Sequence, residues 1–481
     1  MKKLLICMSL LLAVVSCEED LTSLNEDPKR PEVVSYETLF SNAQLSLTDI
    51  ITSSNVKDNI FRLIVQYWTE TTYLDETRYN LASRNIPQNF WHVIYRDVLS
   101  DFSRSKSLLE ENTIIGEAEK NNQLAIIDIM EVYTWSVLVQ TFGDIPYQQA
   151  LDIDNIRPEY TDQEEIFNDL LTRLDQSLGT MDVSAGSFGS ADLVYGGDVA
   201  SWIKFANSLK LRLGMTLADV NPTQAASVVA AAAPNVFTSN ADNAMFEYST
   251  IPPNTNPIWV DLVQSGRQDF IAATTIVDVM DSLSDPRVKY FFTPDGDPAD
   301  EDGMYSGGIV GVGNSFSVYS KPGANITQAD FPSILLSYDE VSFLLSEAAA
   351  RGFGVAGTAE EHYNNAITAS VLYWGGTEAE AQTYLAQPEV AYTTAGSEGS
   401  FKEKIGHQKW IALYNRGFES WTEWRRLGYP QLEPAIRAVS AIPVRYTYPI
   451  SEQNLNKPNF EAAAAAVGGD EVTTKLFWDV E

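Results

Sequence analysis

The sequence predicts a mostly α-helical protein: a scaffold of tetratricopeptide-like αα-hairpins carrying a loop-rich, short-strand region suited to ligand contacts. Three observations predict it. Helix-capping signatures recur along the chain. Apolar residues from about residue 36 onward follow a helical period. Between about 235 and 335 that period fails, and proline and glycine take over.

The first residues stand apart from this pattern. Lys2 and Lys3 lead into an apolar run, Leu4 to Val15, which ends at Ser16-Cys17. A basic head, a short hydrophobic core and a small residue before cysteine form a bacterial lipoprotein signal. The run is shorter than the ~20 residues a spanning helix needs. The expected organisation is a signal peptide over 1–16, a lipidated flexible tether over 17–35 and one helical domain over 36–481. Cys17 would carry the lipid, and the acidic and proline-bearing stretch after it (Glu18-Glu19-Asp20, Asn25-Glu26-Asp27-Pro28, Pro31) would act as tether.

Of the body's elements, Leu124–Phe142 is the longest apolar stretch. Asp128, Glu131 and Gln140 interrupt it, so it reads as a buried helix and not as a membrane span. Thr161 with Glu164, Ser337 with Glu340 and Thr358 with Glu361 fit the S/T-x-x-E capping box, in which hydroxyl and carboxylate satisfy each other's backbone amides. Trp202, Phe205, Leu209, Leu213 and Leu217 line one helix. The clearest hairpin runs from Ser337 to Trp374: Val341, Leu344, Leu345 and Ala348 share one face, a link with Gly352, Gly354 and Gly357 follows, and Tyr363, Ile367, Val371 and Trp374 mark the second helix. Ile405 to Leu427 reads as two more helices joined at Gly417.

The chain carries 32 Lys and Arg against 65 Asp and Glu, a formal charge of −33. Such a surface repels phosphate backbones, so nucleic acid is excluded as a partner. Of the two cysteines, Cys7 would leave with the signal and Cys17 would be lipidated. The mature chain would then have no disulfide and no thiol nucleophile, and its stability would rest on its core.

Catalytic signals are weak. His92, His362 and His407 lack ligand spacing, and no H-E-x-x-H, G-x-S-x-G or P-loop occurs. Gly311-Val312-Gly313-Asn314-Ser315-Phe316 lacks a third glycine and a following helix, so it reads as a turn. Asp295, Asp297, Asp300 and Asp302 offer hard oxygen ligands on one loop and suit calcium, although Ala299 and Asp300 break the EF-hand pattern. No other cofactor is expected. Aromatic residues matter more. A sugar ring has an apolar face and a rim of hydroxyls, which suits a flat aromatic beside polar side chains. Two segments have that mixture off the helical period: Tyr73–Asn80, with Arg78 and Tyr79, and Asn254–Arg267, with Trp259, Asp261 and Gln264. Tyr305 and Phe316 sit in the loop-rich stretch. The expected ligand contacts are Tyr73, Arg78, Tyr79, Asn80, Trp259, Gln264 and Tyr305. Trp135, Trp202, Trp374, Trp410, Trp421 and Trp424 fall in helical patterns and are expected in the core.

Ordered blocks run through the chain: Leu24–Pro28, Phe142–Tyr147, Trp202–Arg212, Asp285-Pro286-Arg287, Tyr338–Phe343 with Ser346–Ala348, Gln408–Leu413, Trp421–Pro430 and Ile442–Arg445. In these blocks and their order the chain resembles the SusD/RagB family of outer-membrane lipoproteins, in its SusD-like branch. The resemblance implies a tetratricopeptide-like helical scaffold and a binding protein, not an enzyme. It also implies a lipid-anchored, surface-exposed lid on a SusC-like TonB-dependent transporter, capturing oligosaccharide. The alternatives are peptide capture, as in RagB, or a surface glycoside hydrolase using two of the many carboxylates. Glu18-Glu19-Asp20 resembles the acidic stretch that marks such lipoproteins for surface display. Arg425 and Arg426 are expected to pair with Glu419 or Glu423 and tie helix ends together.

Overall fold

A computed structural model describes residues 34–296, 304–392 and 400–481. The expected signal peptide, Cys17 and the expected tether as far as residue 33 lie outside the described residues.

Fourteen described helices have eight residues or more: α1 Tyr36–Thr52, α2 Ile86–Val93, α3 Ser100–Glu111, α4 Glu117–Phe142, α5 Gln163–Thr180, α6 Val199–Thr216, α7 Pro222–Ala232, α8 Thr274–Ser282, α9 Tyr338–Ala350, α10 Ala359–Tyr373, α11 Glu378–Leu385, α12 Phe401–Ala412, α13 Gly417–Leu427 and α14 Lys457–Ala466. Successive helices pack as pairs, α4 with α5, α6 with α7, α9 with α10 and α12 with α13. The mostly helical, paired-helix class read from the sequence is the one observed.

Local chemistry explains the boundaries. Asp198 caps α6 by accepting from the Ser201 amide at 3.1 Å, and Pro222 opens α7 at a position where its missing N–H costs nothing. Thr358 and Glu361 form the reciprocal box expected of them, and Thr377 with Glu380 forms a second at α11. Two expected boxes are absent. At α5 the cap is Asp162, which accepts from the amides of Glu164 and Glu165, so Thr161 is displaced by one residue. At α9 Ser337 holds the cap position, but its hydroxyl bonds Asp339 and Arg416, and Glu340 turns inward to arginine.

Helix α4 is apolar on nearly every side because protein surrounds it; 89% of its most apolar window is buried. Its interrupting acids are the points of attachment for its neighbours. Asp128 and Glu131 pair with Arg173 of α5 at 2.6 and 2.5 Å, and Lys106 of α3 reaches Asp128 at 3.1 Å.

A buried ionic network crosses the scaffold. Glu340 and Glu347 lie seven residues apart on one face of α9. Arg212 of α6 grips Glu340 through two bonds of 2.6 and 2.8 Å, and Arg416 bonds the same carboxylate. Arg426 of α13 grips Glu347 at 2.6 and 2.5 Å and also pairs with Glu423, which Lys409 of α12 meets at 2.8 Å. Burial alone would raise the Glu423 carboxyl, but Arg426 and Lys409 overcome it and hold it down at about 2. Arg425 departs from expectation. Among the described residues it meets no carboxylate within ion-pair distance. Instead its guanidinium lies 3.6 Å from the Trp421 ring centre and 4.6 Å from that of Trp478, and donates to the carbonyls of Gln140 and Val444.

Among the described residues there are three two-stranded antiparallel sheets: β1 Trp68–Glu70 with β5 Phe270–Ala272, β2 Ile145–Pro146 with β3 Tyr160–Thr161, and β4 Ala244–Phe246 with β6 Ser333–Leu336. As expected, the 235–335 stretch is loops and short strands, with α8 as its one helix of eight residues or more among the described residues.

Removing Glu347 strands Arg426 in the core. Glu347→Ala should cost about 3–5 kcal/mol in urea unfolding. Adding Arg426→Met, which removes the orphaned charge, should return part of that loss.

Candidate functional site

Strand β1 pairs with β5 in the register Trp68↔Ala272, Thr69↔Ile271 and Glu70↔Phe270. At this sheet three loops are laced together, largely by backbone groups. The Gly308 amide donates to Ala272 (2.8 Å) and the Thr274 amide to Gly308 (2.9 Å). The Asn314 amide donates to Thr71 (3.1 Å), Ile436 to Val310 (3.0 Å) and Val439 to Arg78 (3.0 Å). The segments 71–85, 304–320 and 435–439 therefore share one edge. Tyr73, Met304, Ile309, Ile436 and Val439 are exposed along them, Tyr73 to 77%.

The glycines of this edge follow from close approach. Gly311 has φ +87°, and a Cβ there would stand 2.3 Å from the Ile436 carbonyl oxygen. The Gly311–Phe316 segment is thus a turn, held by Asn314, whose Nδ2 donates to the Val312 and Ile309 carbonyls at 2.8 and 3.0 Å.

Among the expected contact residues, Tyr73, Arg78 and Asn80 lie together on the first loop. Tyr73 has a left-handed backbone (φ +56°). Arg78 is half-buried and its Nε donates to the Gly311 carbonyl at 2.9 Å, which joins the first two loops. Asn80 accepts from the Ser83 amide at 3.2 Å. Tyr79 is corrected: it is only 2% exposed. Its hydroxyl receives Gln66 and the Ala435 amide, both at 3.3 Å, so the ring closes the base of the loop and offers no face to a ligand. Tyr305 is half-buried near Lys289 and Asp281, beyond the end of α8; burial raises its pKa, while Lys289 opposes.

Trp259 and Gln264 lie on a separate flank. Asn256 caps a short turn, Pro257–Trp259, by accepting from the Ile258 amide at 2.8 Å, and Val260–Gln264 continues it. This turn rests against the end of α1, where Ser54 donates to Asp261 at 3.0 Å. No hydrogen bond or ring contact joins Trp259 to Tyr73–Asn80. Trp259 is half-buried and, alone among the ten tryptophans, has neither a ring or cation partner nor an acceptor for its indole N–H. Trp135, Trp202, Trp374, Trp410 and Trp421 are core, as expected, and Trp424 is half-buried and bonded to the Pro430 carbonyl; Trp68, Trp91 and Trp478 are buried too.

The 435–439 loop was not legible as part of the edge. The run after Pro434, Ala435-Ile436-Arg437-Ala438-Val439, is mostly apolar and gives no sign of exposure in the sequence. Of the expected calcium ligands, Asp297, Asp300 and Asp302 lie outside the described residues. Among the described residues no group of three or more His, Cys, Asp or Glu is placed to hold a metal ion. A partly open cavity of about 30 Å³ beside Arg416, Glu419 and Tyr373 has room for one or two waters and adjoins the ionic network.

A carboxyl pair sits at the root of the first loop. Glu70 Oε2 accepts from the Thr77 amide at 2.9 Å, and Glu76 Oε1 from Arg84 at 2.5 Å. Burial, together with the charge of Glu76, pushes the Glu70 carboxyl up to about 8. Glu76 Oε2 is buried without a hydrogen-bond partner.

The comparisons with known proteins concern the whole chain. A family profile, SusD-like, described as starch-binding associating with outer membrane, matches residues 28–449. No curated protein matches the sequence. The chain is similar to a chitin-binding protein of known structure, with 26% identity, a TM-score of 0.81 and coverage of 93% of this chain and 100% of that one. It is also similar to a SusD homologue from Bacteroides uniformis, with 26% identity, a TM-score of 0.78 and coverage of 92% and 99%. A chitin-binding SusD homologue from Flavobacterium johnsoniae shares the fold, with 24% identity, a TM-score of 0.78 and coverage of 92% and 99%.

A carboxyl whose native pKa exceeds its unfolded value stabilises the fold while protonated, and that contribution is lost as the pH climbs towards 8. Glu70→Gln keeps an acceptor for Thr77 and cannot ionise. Its melting temperature relative to wild type should therefore rise between pH 5 and 8 and level off above.

Proposed function

The chain belongs to the SusD-like family, and from that premise we propose that it captures oligosaccharides at the outer membrane without cleaving them. The observation that carries this reading is the family match over 28–449, which spans scaffold and loops alike. The similarity to a chitin-binding protein supports a glycan of the chitin or starch type as ligand. Physical chemistry supports the same reading. Tyr73 and Trp259 are aromatic rings free of protein stacking partners, with Arg78, Asn80 and Gln264 as hydrogen-bonding neighbours. Calcium held by Asp295, Asp297, Asp300 and Asp302 is part of the proposal, as a loop-ordering ion.

The finer reading concerns assembly. Cys17 would carry lipid, residues 17–35 would tether a single domain, and the domain would act as a lid on a SusC-like TonB-dependent transporter. A tether holds the binder at high effective concentration beside its barrel, even when the lid is open.

Titrating the purified protein with malto- and chito-oligosaccharides tests the core of the proposal. Saturable binding without product release is expected. Release of shorter sugars would make it a hydrolase, and binding of peptides alone would overturn the glycan reading. Trp259→Ala and Tyr73→Ala should each weaken binding about tenfold or more; unchanged affinity in both would remove these rings from the site. Cys17→Ala should leave ligand affinity intact while the protein moves from the membrane fraction to the soluble one.

A further inference from the structure

An open pocket of about 550 Å³ lies between α2, the start of α3 and the short helix Ile450–Leu455, and shares no lining residue with the Tyr73 loop or the Trp259 turn. Buried bonds fix its walls. Tyr95 donates to the Pro146 carbonyl (2.6 Å), Asn456 to the Pro158 carbonyl (2.8 Å) and Tyr160 to Glu452 Oε2 (2.9 Å). Trp91 lines the pocket with only 4% of its surface accessible, and its ring centre is wedged 4.8 Å from that of Tyr95 and 4.9 Å from that of Phe142. Its indole N–H has no acceptor among the described residues, whereas Trp68, Trp202, Trp410, Trp421 and Trp424 each have one. Unlike the unbonded N–H of Trp478, it is not sealed inside the protein. The N–H therefore belongs to the accessible sliver of Trp91, and the pocket is the space which that sliver lines. A second group is unmet there. Glu452 Oε1 accepts from no described donor, and Glu452 makes no ion pair among the described residues.

We propose that this pocket is a second carbohydrate site, which takes one neutral sugar unit. The inference rests on the glycan-capture reading and adds a site to it. The ligand has to offer an acceptor to the indole N–H and a donor to the Glu452 carboxylate, and a sugar's hydroxyls are both. Pro146, Ala150, Leu151 and Pro158 supply the apolar wall that suits the C–H face of a ring. Other small ligands meet only part of this demand. An ammonium ion has no acceptor for Trp91, an acyl chain has no donor for Glu452, and an anion is opposed by the Glu452 charge. The basic lining residues do not reverse that. Arg96 is held by both oxygens of Asp97 at 2.6 Å, and His92 is engaged by Gln88 and Ser451. Because Trp91 is wedged among rings, its donor is in place before a ligand arrives, and binding orders little. Two sites on one chain let it keep a polysaccharide after one contact lets go.

Indole N–H signals in proton–nitrogen NMR spectra of the full, isotope-labelled chain test the site. The Trp91 signal is assigned from Trp91→Phe, or in wild type from its proximity to the Tyr95 and Phe142 rings. Titration with maltotetraose or N-acetylated chitin tetrasaccharide should move it saturably. The shift should survive Tyr73→Ala/Trp259→Ala, which removes the first site. It should vanish in Ser100→Tyr, where a ring at an exposed lining position fills the pocket, with folding checked by circular dichroism. Glu452→Gln should weaken the affinity read at Trp91 about tenfold, the scale of one charge-assisted hydrogen bond. An unmoved Trp91 signal while a sugar binds wild type overturns the second site alone. Binding of neither sugar overturns the glycan reading with it. A shift that is lost in Tyr73→Ala/Trp259→Ala, kept in Ser100→Tyr, unaltered in affinity by Glu452→Gln, or produced by tetra-alanine and not by the sugars also overturns the second site.

Discussion

Two glutamates on one helix face set the frame on which everything else is hung. Glu340 and Glu347 are essentially removed from water, and each has one arrangement in which its charge is fully met. Arg212 and Arg416 meet the first, and Arg426 and Arg351 meet the second. Arg351 continues outward to Asp219, joining the end of α9 to the segment after α6. If α6 or α13 slid by one helical turn, a buried charge would be stranded at a cost of several kcal/mol. An apolar core of equal volume has no such penalty against sliding, because methyl groups accept many neighbours. The network therefore contributes registry between helix pairs more than net stability.

That role explains why the recognisable blocks of the sequence fall where they do. Trp202–Arg212 ends on the arginine that meets Glu340, and Tyr338–Ala348 supplies both glutamates. Gln408-Lys409 and Trp421–Arg426 carry Lys409, Glu423 and Arg426. Asp285-Pro286-Arg287 forms a satellite: Arg287 grips Asp285 at 2.8 and 2.5 Å and donates to Ser370 of α10 and Gln408 of α12. Arg445 bridges to the Phe142 and Gly469 carbonyls, closing the end of α4. The blocks are contacts in one three-dimensional circuit, although they are scattered along the chain.

The helix pairs were legible because their information is local. The period of Val341, Leu344, Leu345 and Ala348, the glycines after Gly352 and the Thr358 box need no distant partner to be read. Reading failed where a residue's use is decided elsewhere. Glu340 has the spacing of a capping residue, but it is drawn inward by an arginine 128 positions away in sequence. Tyr79 has the company of a binding aromatic, yet Gln66 and Ala435 take its hydroxyl into the core. Arg425 has the Glu423 carboxylate within one helical turn and stacks on two tryptophans instead. In each case a buried long-range partner outbids the local pattern, and no single-sequence signal announces it.

The same division separates scaffold from ligand face. Along the β1 edge most of the loop-to-loop bonds run between backbone groups: Thr71 with Asn314, Val310 with Ile436, Arg78 with Val439 and Ala272 with Gly308. A backbone bond holds for almost any side chain, so Tyr73, Ile309, Ile436 and Val439 are left without structural duty. The exceptions are the residues whose identity is fixed, Gly311 at its left-handed turn, Asn314 across its carbonyls, Arg78 on the Gly311 carbonyl and Tyr79 beneath Ala435. Loops laced in this way can change their exposed residues without disturbing the helices beneath. A scaffold locked by side-chain charge, carrying loops locked by backbone bonds, is thus a fold in which ligand choice is free to vary. For that reason the framework can be read from sequence blocks, while the contact residues need the structure.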